Sequence, residues 1–354
     1  MPELTVRYLD TVLCVRLDTE ALSHLEHSFG FLRSHFAIEP GSAPTADCLI
    51  DIVSFDELRV HDHARGDGAE TVMKLASRRH YVVSGARFPT ATGHLIVTGK
   101  TSTAYLFDYR SGAARLYVSP GSWVHIVEFF RALVWELEVA RGTLVLHAAA
   151  VERGGAAYAL SGAKGAGKTT TLLDILRSPG FRFVSGDKLF ATRGADGGIG
   201  VTGWPDFPHV GWGTIKARPA LFRAVVRDLG LVPSDDPREK VVLPHAWYRE
   251  VIGFEICAHR LPLAAFVLPQ IDVSHPDVPS RLSRTQLGDS AIAGIVESRK
   301  RPGPREGWEP YFAAVTARVR PRGYRIRAAD LAGWPAFVRT GAQELHELTD
   351  LQRV

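Results

Sequence analysis

The stretch SGAKGAGKTTTLLDIL, Ser161 to Leu176, restricts this chain more than any other. It crowds Gly162, Gly165 and Gly167 together, sets Lys168 behind them, and then turns apolar at helical spacing. A loop so bare of side chains lets backbone N–H groups close around an anion, because glycine tolerates positive φ. The order Gly162, four residues, Gly167, Lys168, Thr169 fits the P-loop pattern. In that pattern the lysine reaches the β- and γ-phosphates and the hydroxyl residue holds Mg²⁺. By chance it arises in about one chain of this length in a hundred. Ala156 to Leu160 reads as a buried strand ahead of the loop, and Thr171, Leu172, Ile175 and Leu176 share one helical face behind it. The expected nucleotide-binding residues are therefore Gly162, Ala163, Lys164, Gly165, Ala166, Gly167, Lys168, Thr169 and Thr170. ATP and Mg²⁺ are the expected cofactors, with Thr169 a magnesium ligand.

A chain of 354 residues with 45% hydrophobic content is long enough for two domains with sizeable cores. Its net charge of +4 suits an acidic ligand such as ATP and falls short of a nucleic-acid footprint, so no nucleic-acid partner is expected. Cys14, Cys48 and Cys257 are odd in number and lack metal-ligand spacing, and read as reduced core residues. The start MPELTVRYLD has neither a basic region nor an apolar segment, and no stretch approaches a charge-free membrane span. The expected location is the cytoplasm, with no membrane partner.

Residues 1–121 carry alternating apolar runs such as LTVRYLDTVLCVRL and AYLFDYRSGAARLYVSP, together with the helical spacing of EALSHLEHSFGFLRSHF. This predicts an N-terminal mixed α/β module, whose chemistry the spacing does not disclose and for which substrate or partner recognition is the candidate role. Trp123, Ile126, Val127, Phe130, Leu133, Val134 and Leu137 form a stripe on a predicted helix, with Glu128, Arg131, Glu136 and Glu138 facing away. That helix is expected to be the hinge into a nucleotide-binding catalytic domain over 122–354. Gly154 and Gly155 lie between two apolar runs and predict a β-hairpin whose second strand enters the loop. FRFVSGDK reads as a short strand beside the loop strand, ending in Asp187. ESRKRPGPRE reads as a basic loop, and Arg318, Arg320 and Arg322 alternate as on the solvated face of an edge strand.

Asp187 is the leading carboxylate for holding Mg²⁺ or taking the proton of an attacking hydroxyl. His147, alone among apolar neighbours in VLHAAAV, needs a partner to offset its desolvation and is placed to orient Asp187. The loop, LHAAAV, the glycine hairpin and the strand ending at Asp187 together resemble the HPr kinase-like group, whose fold is shared with phosphoenolpyruvate carboxykinase. The likeness covers chiefly His147 to Asp187. It implies an α/β fold in which the N-terminal mixed module precedes a P-loop kinase domain of that type, and it suggests assembly into homo-oligomers. Where the group has paired aspartates this chain has Gly186 and Asp187, and the HPr-binding segment has no convincing counterpart.

The resemblance implies a tailoring kinase that moves the γ-phosphoryl group of ATP to a hydroxyl of a small metabolite, amino acid or peptide. Asp187, Lys168 and His147 are the expected catalytic residues, and Thr169 with Asp187 the metal ligands. Arg238, Lys240 and Lys188 are further candidates for contacting phosphate. Asp206 and His209, in WPDFPHVGWG, are candidates for a substitute base on a lid or acceptor wall. A nucleotide-gated regulatory module with weak transfer and a protein serine kinase are the alternatives.

Overall fold

The computed structural model describes residues 1–75, 82–250, 253–271, 278–296 and 307–341. Both parts of the chain are mixed α/β, with strands pairing in parallel and antiparallel fashion. Contacts divide it into two compact units, Met1–Thr143 with Arg299–Gly323, and Leu144–Ser298 with Tyr324–Val354. This division falls later than the expected boundary at 121/122, and the first unit takes in a second piece of chain.

The reason lies in the helix expected to be a hinge. The first unit contains β1 (Glu3–Tyr8), β2 (Thr11–Leu17), α1 (Leu22–Leu32), β3 (Ala37–Pro40), β4 (Cys48–Ser54), α2 (Glu57–His61) and β5 (Ala69–Lys74). It continues with β6 (Val82–Pro89), β7 (Gly93–Thr98), β8 (Thr103–Asp108), β9 (Ala114–Val118) and α3 (Trp123–Ala140). The strands make one sheet in the order β3-β1-β2-β4-β9-β8-β7-β6-β5. α3 packs on α1 and on the helix Glu309–Thr316, and buries Phe129, Trp135 and Glu128 as well as the expected stripe from Ile126 to Leu137, whereas Trp123, expected in that stripe, is exposed at the start of the helix. Glu138, expected to face solvent, is fully buried and accepts hydrogen bonds from Thr11 (2.7 Å), Thr143 (2.9 Å) and Arg322 (2.6 Å). A helix buried on nearly every side is a core element of its unit.

The arginines expected on an edge strand follow the helix Glu309–Thr316 instead, Arg318 in a turn and Arg320 and Arg322 in irregular chain. Arg318 donates to the carbonyls of Tyr109, Arg110 and Ser111, and Arg322 to Glu138, Asp10 and Thr143. These guanidiniums cap backbone and neutralise acids. The basic loop Glu297 to Glu306 lies outside the described residues.

The second unit begins with β10 (Leu144–His147), β11 (Ala149–Arg153), β12 (Ala156–Leu160), α4 (Lys168–Leu176), β13 (Arg182–Ser185), β14 (Lys188–Arg193) and β15 (Ile199–Gly203). Then come β16 (Val210–Gly211), α5 (Trp212–Lys216), α6 (Pro219–Leu229), β17 (Lys240–Val241), α7 (His245–Glu250) and β18 (Leu261–Gln270). It closes with β19 (Arg281–Gln286), α8 (Asp289–Ile295) and β20 (Pro335–Thr340). β18 is the hub: it pairs in parallel with β12 and β20 and antiparallel with β15. β12 is buried from Ala157 to Leu160, the all-apolar pattern of a strand covered on both faces. Gly154 and Gly155 both have positive φ and close the expected two-residue hairpin between β11 and β12. Among the described residues, no helix is long and apolar enough to cross a membrane. All three cysteines are buried and free.

Candidate functional site

The glycine loop joins β12 to α4. Ser161 continues the parallel pairing by donating its N–H to Val267 (2.9 Å), and its hydroxyl donates to the His147 carbonyl (3.1 Å). Gly165 and Gly167 take φ of 88° and 96°, a region that side chains rarely adopt. At Gly167 a Cβ would also lie 2.5 Å from the Ile271 side chain, so the N-cap of α4 is closed to any other residue without rearrangement. Lys168 opens the helix and bends back, its ammonium donating to the carbonyls of Gly162 (2.8 Å) and Ala163 (3.4 Å). Ala163, Lys164 and Gly165 are exposed at the loop tip. Thr169 makes no hydrogen bond through its hydroxyl among the described residues, whereas Thr170 bonds Thr214 (2.9 Å). Gly162, Ala163 and Ala166 border a cleft of about 530 Å³ that continues along Leu268 to Ile271 and Ala291.

Two strand bends made in step create the second part of the site. The chain turns at Ala148 between β10 and β11, and again at Gly186 and Asp187 between β13 and β14. β10 pairs β14 with His147 opposite Lys188, while β11 pairs β13 with Ala150 opposite Ser185. His147 and Asp187 thus meet across the joint bend, Nε2 to Oδ1 at 2.9 Å. Lys188 lies 2.6 Å from the other carboxylate oxygen. Burial opposes ionisation of Asp187, but the hydrogen bond from His147 and the Lys188 ammonium outweigh it and hold the carboxyl well below the usual carboxylate range. The strand carrying Asp187 is not the neighbour of β12 that the sequence suggested. β11 lies between them, because the tight glycine hairpin occupies that edge of β12 first.

Position 186 is glycine for a steric reason. A Cβ there would lie 2.5 Å from the Asp206 carbonyl oxygen and 2.7 Å from the Pro208 nitrogen. The same close approach brings Asp206 and His209 toward the Asp187 corner, with Gly186 N–H donating to the Asp206 carbonyl (3.0 Å). β16, directly after His209, pairs β17 with Gly211 opposite Lys240, and Arg238 and Lys240 are exposed there. Sequence reasoning missed Ser161, Asp174, Thr214, Arg218 and Arg339. Asp174 is buried in α4 between Arg218 (Nε at 3.1 Å) and Arg339 (2.8 Å). Its signal was a charged residue inside an apolar helical run, as Arg339 is inside PAFVRT.

Among the described residues no group of three or more His, Cys, Asp and Glu side chains is placed to hold a metal by itself. No protein-family model matches the chain, and no curated protein sequence matches it.

Proposed function

We propose that this protein is an ATP-dependent phosphotransferase acting on a hydroxyl of a small metabolite, amino acid or peptide. The observation that carries the reading is the strand–glycine loop–helix turn from Leu160 to Thr169. It offers an open backbone cradle, the Lys168 ammonium and the Thr169 hydroxyl in one short arc. The donor set suits a magnesium nucleotide: N–H groups and a cation for phosphate oxygens, a hydroxyl and the Asp187 carboxylate for the metal. When bound, Mg²⁺ would neutralise charge on the transferring group.

Lys168 leaves the Gly162 and Ala163 carbonyls to meet phosphate. Asp187, ionised across the neutral range, accepts the acceptor's hydroxyl proton or faces the metal, and His147 and Lys188 keep its oxygens directed. Arg238 and Lys240 supply further positive charge, and Asp206 is the reserve carboxylate. Such chemistry belongs in the cytoplasm, where ATP is abundant. A nucleotide-gated regulatory module is the second reading, favoured by Gly186, whose close packing leaves no room for a second acid.

The test incubates the protein with γ-labelled ATP and a lysate divided by size. Label in small molecules supports the proposal, and label in protein favours a protein serine kinase. Nucleotide binding without transfer favours the regulatory module, and neither binding nor transfer removes all three.

A further inference from the structure

The chain from Trp204 to Arg218 is fastened at its two ends to the two parts of the candidate site. At its start Trp204 stacks on Phe190 (ring centroids 4.5 Å apart), and the Asp206 carbonyl accepts the Gly186 N–H. Phe207 stacks between Phe183 (5.6 Å) and Tyr248 (5.5 Å), and the Tyr248 hydroxyl donates to the Pro208 carbonyl. At its end Thr214 bonds Thr170 through the hydroxyls, and Arg218 donates to the carbonyls of Thr214 (3.2 Å) and Thr170 (3.5 Å). Arg218 also shares the buried Asp174 carboxylate of α4 with Arg339 of β20. Between the two ends, Trp212 and Gly213 N–H groups are held by the carbonyls of Glu239 and Pro237, each at 3.0 Å.

We infer that Trp204–Arg218 is a brace that keeps the Asp187 corner in register with the first turn of α4, and that Arg218 is its positioning residue. Only short elements, β16 and α5, form within the segment, so side-chain anchors set its place. The Arg218 anchor is strict. Its planar fork engages Asp174 and two carbonyls at once, and a buried guanidinium cannot drift from its carboxylate without leaving a charge uncompensated. Lys168 and Thr169 ride on the turn gripped at Thr170, and Asp187 follows the Gly186 backbone gripped at Asp206. Displacing such groups by about 1 Å can lower turnover about 100-fold.

The kinetic arm of this inference rests on the phosphotransfer reading; the structural arm does not. The experiment compares wild type with Arg218→Met and Arg218→Lys, and with Leu331→Ala as a core control away from the brace. Three readings are taken on folded protein: amide exchange of Gly186, affinity for a fluorescent ATP analogue, and turnover per folded molecule.

Arg218→Met is expected to speed Gly186 exchange about 10-fold or more, by loosening a segment whose anchor lies elsewhere in the sequence. Turnover should fall about 10- to 100-fold, with nucleotide affinity within about 3-fold of wild type. Arg218→Lys should recover part of both, and Leu331→Ala should lower the melting temperature without either change. Wild-type exchange at Gly186 in Arg218→Met overturns the brace, as does faster exchange with unaltered turnover. Should wild type transfer no phosphoryl group, the phosphotransfer reading falls and Gly186 exchange alone decides the brace. If Arg218→Met does not fold, Thr214→Val, which removes the hydroxyl contact to Thr170, carries the same comparison.

Discussion

Asp187 shows how two neighbours decide the state of one carboxyl. Burial alone would raise the point at which it ionises, but His147 and Lys188 on its two oxygens outweigh that and hold it well below the usual carboxylate range. Replacing Asp187 with Asn keeps the shape and removes the charge. Turnover should fall by about 100-fold or more while nucleotide binding persists, measured by initial rates and by titration of a fluorescent nucleotide. Lys168→Ala should abolish transfer with little change in melting temperature, since the ammonium donates to the carbonyls of Gly162 and Ala163 at an exposed loop. Wild-type turnover in that variant would end the phosphotransfer reading. His147→Gln separates orientation from packing. A directing role lowers turnover beyond any loss of stability, whereas a packing role lowers only the melting temperature.

At the scale of elements, the turn from β12 into α4 and the hairpin before it use glycine differently. Gly155 has positive φ in open space, whereas Gly167 has positive φ and the Ile271 side chain against it. Gly155→Ala should therefore cost roughly 1 kcal/mol of stability and leave nucleotide affinity alone. Gly167→Ala adds strain of about 1–3 kcal/mol and must displace either Ile271 or the start of α4. Nucleotide affinity should drop more than about 10-fold there, on the reading that this N-terminus faces phosphate. Calorimetric melting and nucleotide titration of the pair provide the check, and equal affinities would count against the cradle.

For the whole molecule, acid stability depends on histidines outside the candidate site. His94 and His125, both buried in the first unit, are pushed down to about 4, chiefly by burial. His94 also has Arg87 nearby, and its ring meets Tyr109 and the Gly307 carbonyl; the His125 ring meets Tyr105 and Thr101. Between about pH 6.5 and 4 the unfolded chain takes up protons that the folded chain refuses, so stability falls as pH falls through that window. Each ring accounts for about 3 kcal/mol at the acid end. Asp187 acts lower still: its depressed folded value stabilises above the usual carboxylate range and is lost only as pH drops below it. Urea unfolding followed at pH 7 and pH 5 should show the loss, and His94→Gln with His125→Gln should flatten it. Equal stability at the two pH values would refute the assignment to these rings.

The sequence by itself determined what depends on near neighbours. Glycine conformations, the apolar run of β12 and helical spacing after Lys168 defined the strand, loop and helix, and Gly154 with Gly155 defined the hairpin. The pairing of His147 with Asp187 was also expected, although the His147 side chain is half-buried rather than enclosed, so desolvation is not what demands it. Tertiary structure decided what depends on where the chain returns. It placed β11 between β12 and the Asp187 strand, buried Glu138, and turned Arg318 and Arg322 from a strand face into anchors. It also gathered Asp174, Arg218 and Arg339, which lie far apart along the chain. Such clusters leave no local periodicity: the charges are tolerated in apolar surroundings only because distant partners arrive to neutralise them.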